Sequence, residues 1–165
     1  PCEHSFPTRR SSDLDEIKLC VQVIRKSFET VAQEFNLTKE NCIGNASFME
    51  IEQLYKQYDA GRLMFAYLDN GIIVGYFSLS KNNGGSFELK NLAVLVKYRH
   101  KGYGREMIAF AMDKVREMGS NKMTIGLIEE STKLRNWYSS LGFIHTGTRK
   151  YKHLPFTVGF MKIVF

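Results

Sequence analysis

Cysteine is scarce in this chain: Cys2, Cys20 and Cys42 are the only three in 165 residues, an odd number with no CxxC pair. That argues against a disulfide framework, and the four histidines show no ligand spacing with the cysteines, so no metal site is expected. Thiols used in this way fit a reducing cytoplasm. Long apolar runs are missing as well. None approaches the roughly 18 residues of a membrane span, and the N-terminus lacks the apolar centre of a signal peptide. Basic tracts are also absent. The net charge of +6 is spread along the chain, which suits a small anionic ligand as well as a nucleic acid, and without a basic stripe no nucleic-acid partner is expected.

What is present suffices for one domain, since 165 residues at 44% hydrophobic content can bury a single core. Pro1 to Ser12 (PCEHSFPTRRSS) follow neither the helical nor the strand period and look like translated sequencing-adapter sequence. A non-native or disordered leader is expected there, with the domain over residues 13–165. From Leu14 the apolar positions Ile17, Val21, Ile24, Phe28, Val31 and Phe35 recur at steps of three and four, which predicts a long amphipathic helix capped by Ser12 with Asp15. A polar loop over 36–45 follows. Ser47 and Glu50 then form a capping-box pattern ahead of a second helix through Ile51, Leu54 and Tyr58, stopped by Gly61.

The period next changes to that of strands. Leu63 to Leu68 and Ile72 to Leu79 flank Asn70-Gly71, a strong hairpin signal because a tight primed turn needs positive φ. A second turn at Lys81 to Gly85 leads into a third strand. That strand, from Glu88 through Leu92-Ala93-Val94, ends in a basic glycine turn, Arg99-His100-Lys101-Gly102-Tyr103-Gly104-Arg105. A helix pattern (Ile108, Ala111, Val115, Met118) begins at once, closed by Gly119. Glycines, helix-start N–H groups and three cations in one turn outline a phosphate site, although a solvated basic turn would have the same spacing. Hydrogen bonds to charged groups contribute about 1.5–3 kcal/mol each against ~0.3–1 for the helix dipole, so the converging donors matter most. Met123 to Ile128 then reads as a buried strand locally parallel to the third. Ser131 to Leu141 reads as a short helix ended by Gly142, and two strands, Phe143 to Tyr151 and Phe156 to Val164, close the chain.

Two motifs in this order resemble the GNAT superfamily of acyl-CoA-dependent N-acetyltransferases. Arg99 to Gly104, preceded by Leu92-Ala93-Val94, fits the family's R/Q-x-x-G-x-G/A loop, and Trp137-Tyr138-Ser139-Ser140-Leu141-Gly142-Phe143 matches its helix-to-strand signature. The resemblance covers the chain from about Leu14 onward. It implies an α/β fold of α+β type: a mixed, mostly antiparallel central sheet flanked by about four helices, with a splay at the acyl-CoA site. Three departures stand out. Val96 replaces a frequent proline, His100 a frequent glycine, and Ser131 a frequent asparagine that contacts the pantetheine arm.

The resemblance further implies direct acetyl transfer from acetyl-CoA, as cosubstrate and without a metal, to a primary amine. Leu92, Ala93 and Val94 would hold the pantetheine arm through their backbone, and Arg99, His100, Lys101, Gly102, Tyr103, Gly104 and Arg105 would grip the pyrophosphate. Glu88 is the candidate base, with a water chain as the alternative. Tyr138 is the candidate acid for the departing sulfur. Tyr55, Tyr58 and the 36–45 loop are weaker candidates for acceptor contact, and His145 and His153 are expected at the surface. A non-catalytic acyl-CoA sensor on the same scaffold is the rival reading, with a nucleic-acid module behind it. The acceptor, a small-molecule or peptide amine, and the choice between monomer and homodimer are left open.

Overall fold

The computed structural model describes the backbone of residues 4–5 and 11–165, and side chains from Asp15 onward. Seven strands, β1 (His4–Ser5), β2 (Leu63–Asp69), β3 (Ile72–Lys81), β4 (Phe87–Val94), β5 (Lys122–Ile128), β6 (Ile144–Lys150) and β7 (Thr157–Val164), lie in the order β1-β2-β3-β4-β5-β7-β6. Every neighbouring pair is antiparallel except β4 and β5. The helices are α1 (Ser11–Glu34), α2 (Lys39–Cys42), α3 (Ile51–Asp59), α4 (Tyr103–Glu117) and α5 (Thr132–Ser140). This is the mixed, mostly antiparallel sheet with four substantial helices that the resemblance implies, plus one extra turn of helix. No helix among the described residues is long and apolar enough to cross a membrane.

Helical periodicity decides what covers each face of the sheet. Ile17, Cys20, Val21 and Ile24 of α1 are buried with Leu54 of α3 against Met64, Ala66, Tyr76 and Ala93. Met107, Ile108, Ala111 and Val115 of α4, with Tyr138 of α5, fill the opposite face against Phe77, Phe87, Leu89 and Ile125. Alternation along β4 therefore sends Phe87 and Leu89 toward α4 and leaves Glu88 and Lys90 on the α1 side. The C-terminal end of α1 reaches across to β5, where Ala32 and Leu37 pack on Ile128. Cys20 and Cys42 are buried free thiols, and burial pushes the Cys20 thiol up to about 12.

The turns follow the sequence closely. Asn70 and Gly71 take φ of 50° and 77°, as a primed hairpin turn requires, Gly61, Gly119 and Gly142 follow their helices at positive φ, and Gly85 does so in the turn before β4. Three expectations change. The 36–45 loop contains α2, whose cap Thr38 exchanges hydrogen bonds with Asn41 at 2.8 and 3.3 Å. Ser47 is not the cap of the second helix. It sits in a 3-10 turn, Ala46–Phe48, capped by Asn45, and Glu50 precedes α3 with its N–H on Gln53 Oε1 at 2.8 Å. The Asn45 side-chain carbonyl accepts from Ser47 N–H at 2.9 Å, so Ser47 belongs to the turn before α3 and the capping pair is Glu50 with Gln53. The Ser12 cap falls outside the described side chains. Within the expected leader, His4–Ser5 pairs with Ala66 and Phe65 of β2. His145 and His153 are exposed, and His145 Nε2 lies 3.0 Å from Glu129 Oε2.

Candidate active site

The site begins where two parallel strands part. Only Phe87↔Met123 and Glu88↔Thr124 join β4 to β5, while β4 stays paired to β3 as far as Val94. One edge of the strand beyond Glu88 is therefore left facing a gap, and its backbone groups need an outside partner. A bulge shapes this edge. Phe77 of β3 faces both Asn91 and Leu92, and Asn91 takes φ of 53°, which shifts the side-chain alternation between Lys90 and Ala93. Ala93 is buried beneath α1, and Leu92 and Val94 are half-buried.

After Leu95 bonds back to Val74, a 3-10 turn (Val96–Tyr98) leads into the basic loop. His100 takes φ of 63° and Gly102 φ of 88°, so the chain keeps a left-handed shape at position 100 despite the missing glycine. The result is a run of four consecutive N–H groups, from Gly102 to Arg105, with no hydrogen-bond partner among the described residues, while Lys101 closes the turn over Arg99 and His100. The loop is braced from below. Tyr103 donates to Asp69 Oδ2 at 2.9 Å, Tyr67 donates to Glu106 Oε2 at 2.6 Å, and the two rings pack with centroids 4.8 Å apart. Lys97 and Lys101 hold their ammonium groups 5.0 and 4.9 Å from the Tyr98 ring centroid. Arg105 is exposed.

Helix α5 closes the other side. A Cβ at Gly104 would come within 3.1 Å of the Trp137 ring, so the indole rests directly on the glycine of the loop. Tyr138, beside it, is only 7% exposed, packs edge-on against Trp137 and Phe143, and its hydroxyl has no hydrogen-bond partner among the described residues. Burial pushes its phenol well above the usual tyrosine range. Ser131 stands at the helix start without a side-chain cap bond.

The sequence pattern of the acetyltransferase (GNAT) family matches residues 28–143, more than half of the chain. The chain belongs to the GNAT family. Histone acetyltransferase esa1 of Emericella nidulans is 30% identical over 83 residues, 47% of this chain but 16% of that protein, so the chain spans only a small part of this relative. A GNAT family acetyltransferase from Elizabethkingia anophelis, solved with acetyl-CoA bound, superposes with a TM-score of 0.61 at 21% identity, over 69% of this chain and 83% of that one. The PaiA N-acetyltransferase of Thermoplasma acidophilum, in complex with coenzyme A, gives 0.71 at 13% identity, over 92% and 94%. At such identities these likenesses show the shared fold.

Within this GNAT domain the structure brings Leu92 to Val94, the loop from His100 to Arg105 and the helix bearing Tyr138 around one gap. Two expected site residues stand apart. Glu88 lies at the closed end of the splay, a third exposed, with Lys90 Nζ 3.0 Å from its Oε2. Arg99 turns inward: its Nε donates to the Val94 carbonyl at 3.1 Å, and its two terminal nitrogens donate to Ser27 O at 2.7 Å and to Thr30 Oγ1 at 3.2 Å. Its charge is not presented to the loop. Tyr55 and Tyr58 pack at the margin of the core under α1. Sequence reasoning missed Asn91, although an asparagine inside a strand run is the residue that most readily accepts positive φ. It also missed Trp137 as the partner of Gly104, and Ser27 and Thr30 as partners of Arg99, for which no local signal exists.

Proposed function

We propose that this GNAT domain acetylates a primary amine by direct attack on acetyl-CoA within a ternary complex. The observation that carries the reading is the run of four N–H groups from Gly102 to Arg105, without a partner among the described residues, beside the open edge of β4. Orphaned donors at a helix start make an anion site, and a pyrophosphate has the charge and the oxygen atoms to satisfy them. Gly102 keeps the backbone accessible there, while Lys101 and Arg105 add charge. The free edge at Leu92 to Val94 would take the amide groups of the pantetheine arm, with Ser131 at the far wall. Bound acetyl-CoA supplies the acetyl group as a thioester.

The chain's own residues then have two tasks. A lysine-like amine, with pKa ~10.4, is only ~0.1% neutral near pH ~7.4, a handicap of about 4 kcal/mol, so a proton must be accepted as the N–C bond forms. Glu88 stands four residues before Leu92, about 13 Å along the strand at ~3.3 Å per residue, less the bulge. It therefore receives that proton through water, which joins the two routes left open by the sequence. Tyr138 faces the departing sulfur as the C–S bond breaks. A phenol raised by burial keeps its proton throughout the neutral range, whereas a thiol titrates near ~8.5, so full transfer from Tyr138 would be uphill. Its part is to donate a hydrogen bond to the developing thiolate.

The acceptor is a small-molecule or peptide amine, acted on by a monomer or homodimer in the cytoplasm with no nucleic acid involved. Release of free thiol from acetyl-CoA against a broad amine panel tests the reading. Turnover with at least one amine is the expected result. Acetyl-CoA binding without thiol release for any amine would instead establish the sensor.

A further inference from the structure

We infer that Arg99 is a positioning residue: it ties helix α1, the wall on the Glu88 side of the sheet, to the end of β4, and it is not a ligand of the pyrophosphate. The inference rests on the proposed acetyl transfer for what the tie accomplishes, but not for its existence. Four contacts of 2.7–3.2 Å run from one guanidinium to acceptors in two separate elements, one of them about 70 residues earlier in the chain. Nε–H takes the Val94 carbonyl, the last residue of β4. The terminal nitrogens take the Ser27 carbonyl on α1 and the hydroxyl oxygen of Thr30, which is oriented to accept because its own proton points to Ser27 O at 3.1 Å. A guanidinium has five N–H donors in a fixed fork. With four contacts already made, a phosphate would find about one donor and could gain more only by breaking the tie.

The two ends of the tie belong to different parts of the proposed reaction. Val94 closes the open edge where the pantetheine arm would lie. Ser27 and Thr30 sit in the half of α1 that continues to Ala32, packed on Ile128 of β5. So α1 bridges β4 and β5 on the face that carries Glu88, and Arg99 holds this bridge at its β4 end. Cutting the tie should loosen the acceptor side while leaving the N–H groups of the loop in place. The anion grip then falls to those N–H groups with Lys101 and Arg105.

Arg99→Gln and Thr30→Val, singly and combined, test this. Thr30→Val keeps the side-chain shape and removes one of the two acceptors on α1, leaving the Ser27 carbonyl. Both variants should hold acetyl-CoA within about threefold of wild type with an unchanged salt dependence, and both should lower kcat/KM for an accepted amine by about tenfold. In thermal unfolding the double variant should lose little more than the worse single one, because both cut the same contact. An acetyl-CoA affinity that falls more than about tenfold in Arg99→Gln alone, with a shallower salt dependence, makes Arg99 a phosphate ligand and overturns the proposal. Unchanged amine kinetics in both variants, or additive unfolding shifts, overturn it too. Should Arg99→Gln not fold, Thr30→Val decides through its own amine kinetics. If wild type turns over no amine, the proposed function fails, and the affinity and unfolding comparisons still judge the tie.

Discussion

The basic loop and helix α5 face each other across the same gap, yet they are built on opposite principles. From His100 to Arg105 the site is backbone: four successive N–H groups, Gly102 to Arg105, have no partner among the described residues, and two residues are left-handed. Tyr103 is engaged with Asp69, and Lys101 rests against Tyr98. In α5 the side chains matter: Trp137 lies on Gly104, and Tyr138 brings a hydroxyl with no hydrogen-bond partner among the described residues. A backbone site tolerates substitution wherever the new residue can adopt the same φ and fit. A side-chain site does not, because its chemistry rests on single atoms that a substitution removes.

Substitutions on the two sides should therefore behave differently. The largest effect is expected for Tyr138→Phe, which deletes the donor proposed for the developing thiolate: kcat should fall about 100-fold with acetyl-CoA affinity unchanged, as steady-state kinetics and a binding titration would show. A pH profile sharpens this. Because burial raises the Tyr138 phenol, its neutral form is retained up to and beyond the ordinary tyrosine value of ~10, so the rate should climb with pH as the amine loses its proton. A descending limb below pH ~10 that disappears in Tyr138→Phe would contradict the buried phenol.

Next comes Gly104→Ala, the point where loop and helix touch. Its Cβ would meet Trp137 at 3.1–3.2 Å, so either the indole or the loop must give way. A loss of about 1–3 kcal/mol in stability is expected by denaturant unfolding, together with weaker acetyl-CoA binding. Stability equal to wild type would mean that the indole is not held there. A gain is expected for His100→Gly. A left-handed non-glycine residue costs about 1 kcal/mol, which glycine relieves, so the unfolding midpoint should rise while the loop keeps its shape and its affinity. The smallest effect belongs to Lys101→Ala: a severalfold loss of acetyl-CoA affinity that fades at high salt, since the ammonium adds only screened surface charge to donors supplied by the backbone.

Much of the architecture was legible because it is written in local periods. Three- and four-residue steps marked α1 and α4, alternation marked the strands, and Asn70-Gly71, Gly61 and Gly119 marked turns that need positive φ. The two GNAT motifs located the loop and α5. Less of the site was legible. Asn45 draws Ser47 into a 3-10 turn and Glu50 takes the start of α3, a choice among neighbouring polar residues that a spacing rule cannot rank. The insertion of β7 between β5 and β6 left no periodic trace, because either order gives the same alternation.

By itself the sequence determined which residues form helices, which form strands, and where the backbone can turn left-handed, since these depend on chemistry within a few residues. It also placed a cationic, glycine-bearing turn immediately before a helix. Tertiary structure decided the rest: that β4 and β5 part after two paired residues, that Trp137 covers Gly104, and that Arg99, written into the phosphate motif, spends its donors on Val94, Ser27 and Thr30. The reason is that a guanidinium bonds to whichever acceptors the fold brings within about 3 Å. Acceptors about 70 residues earlier in the chain come that close only once α1 has packed across the sheet.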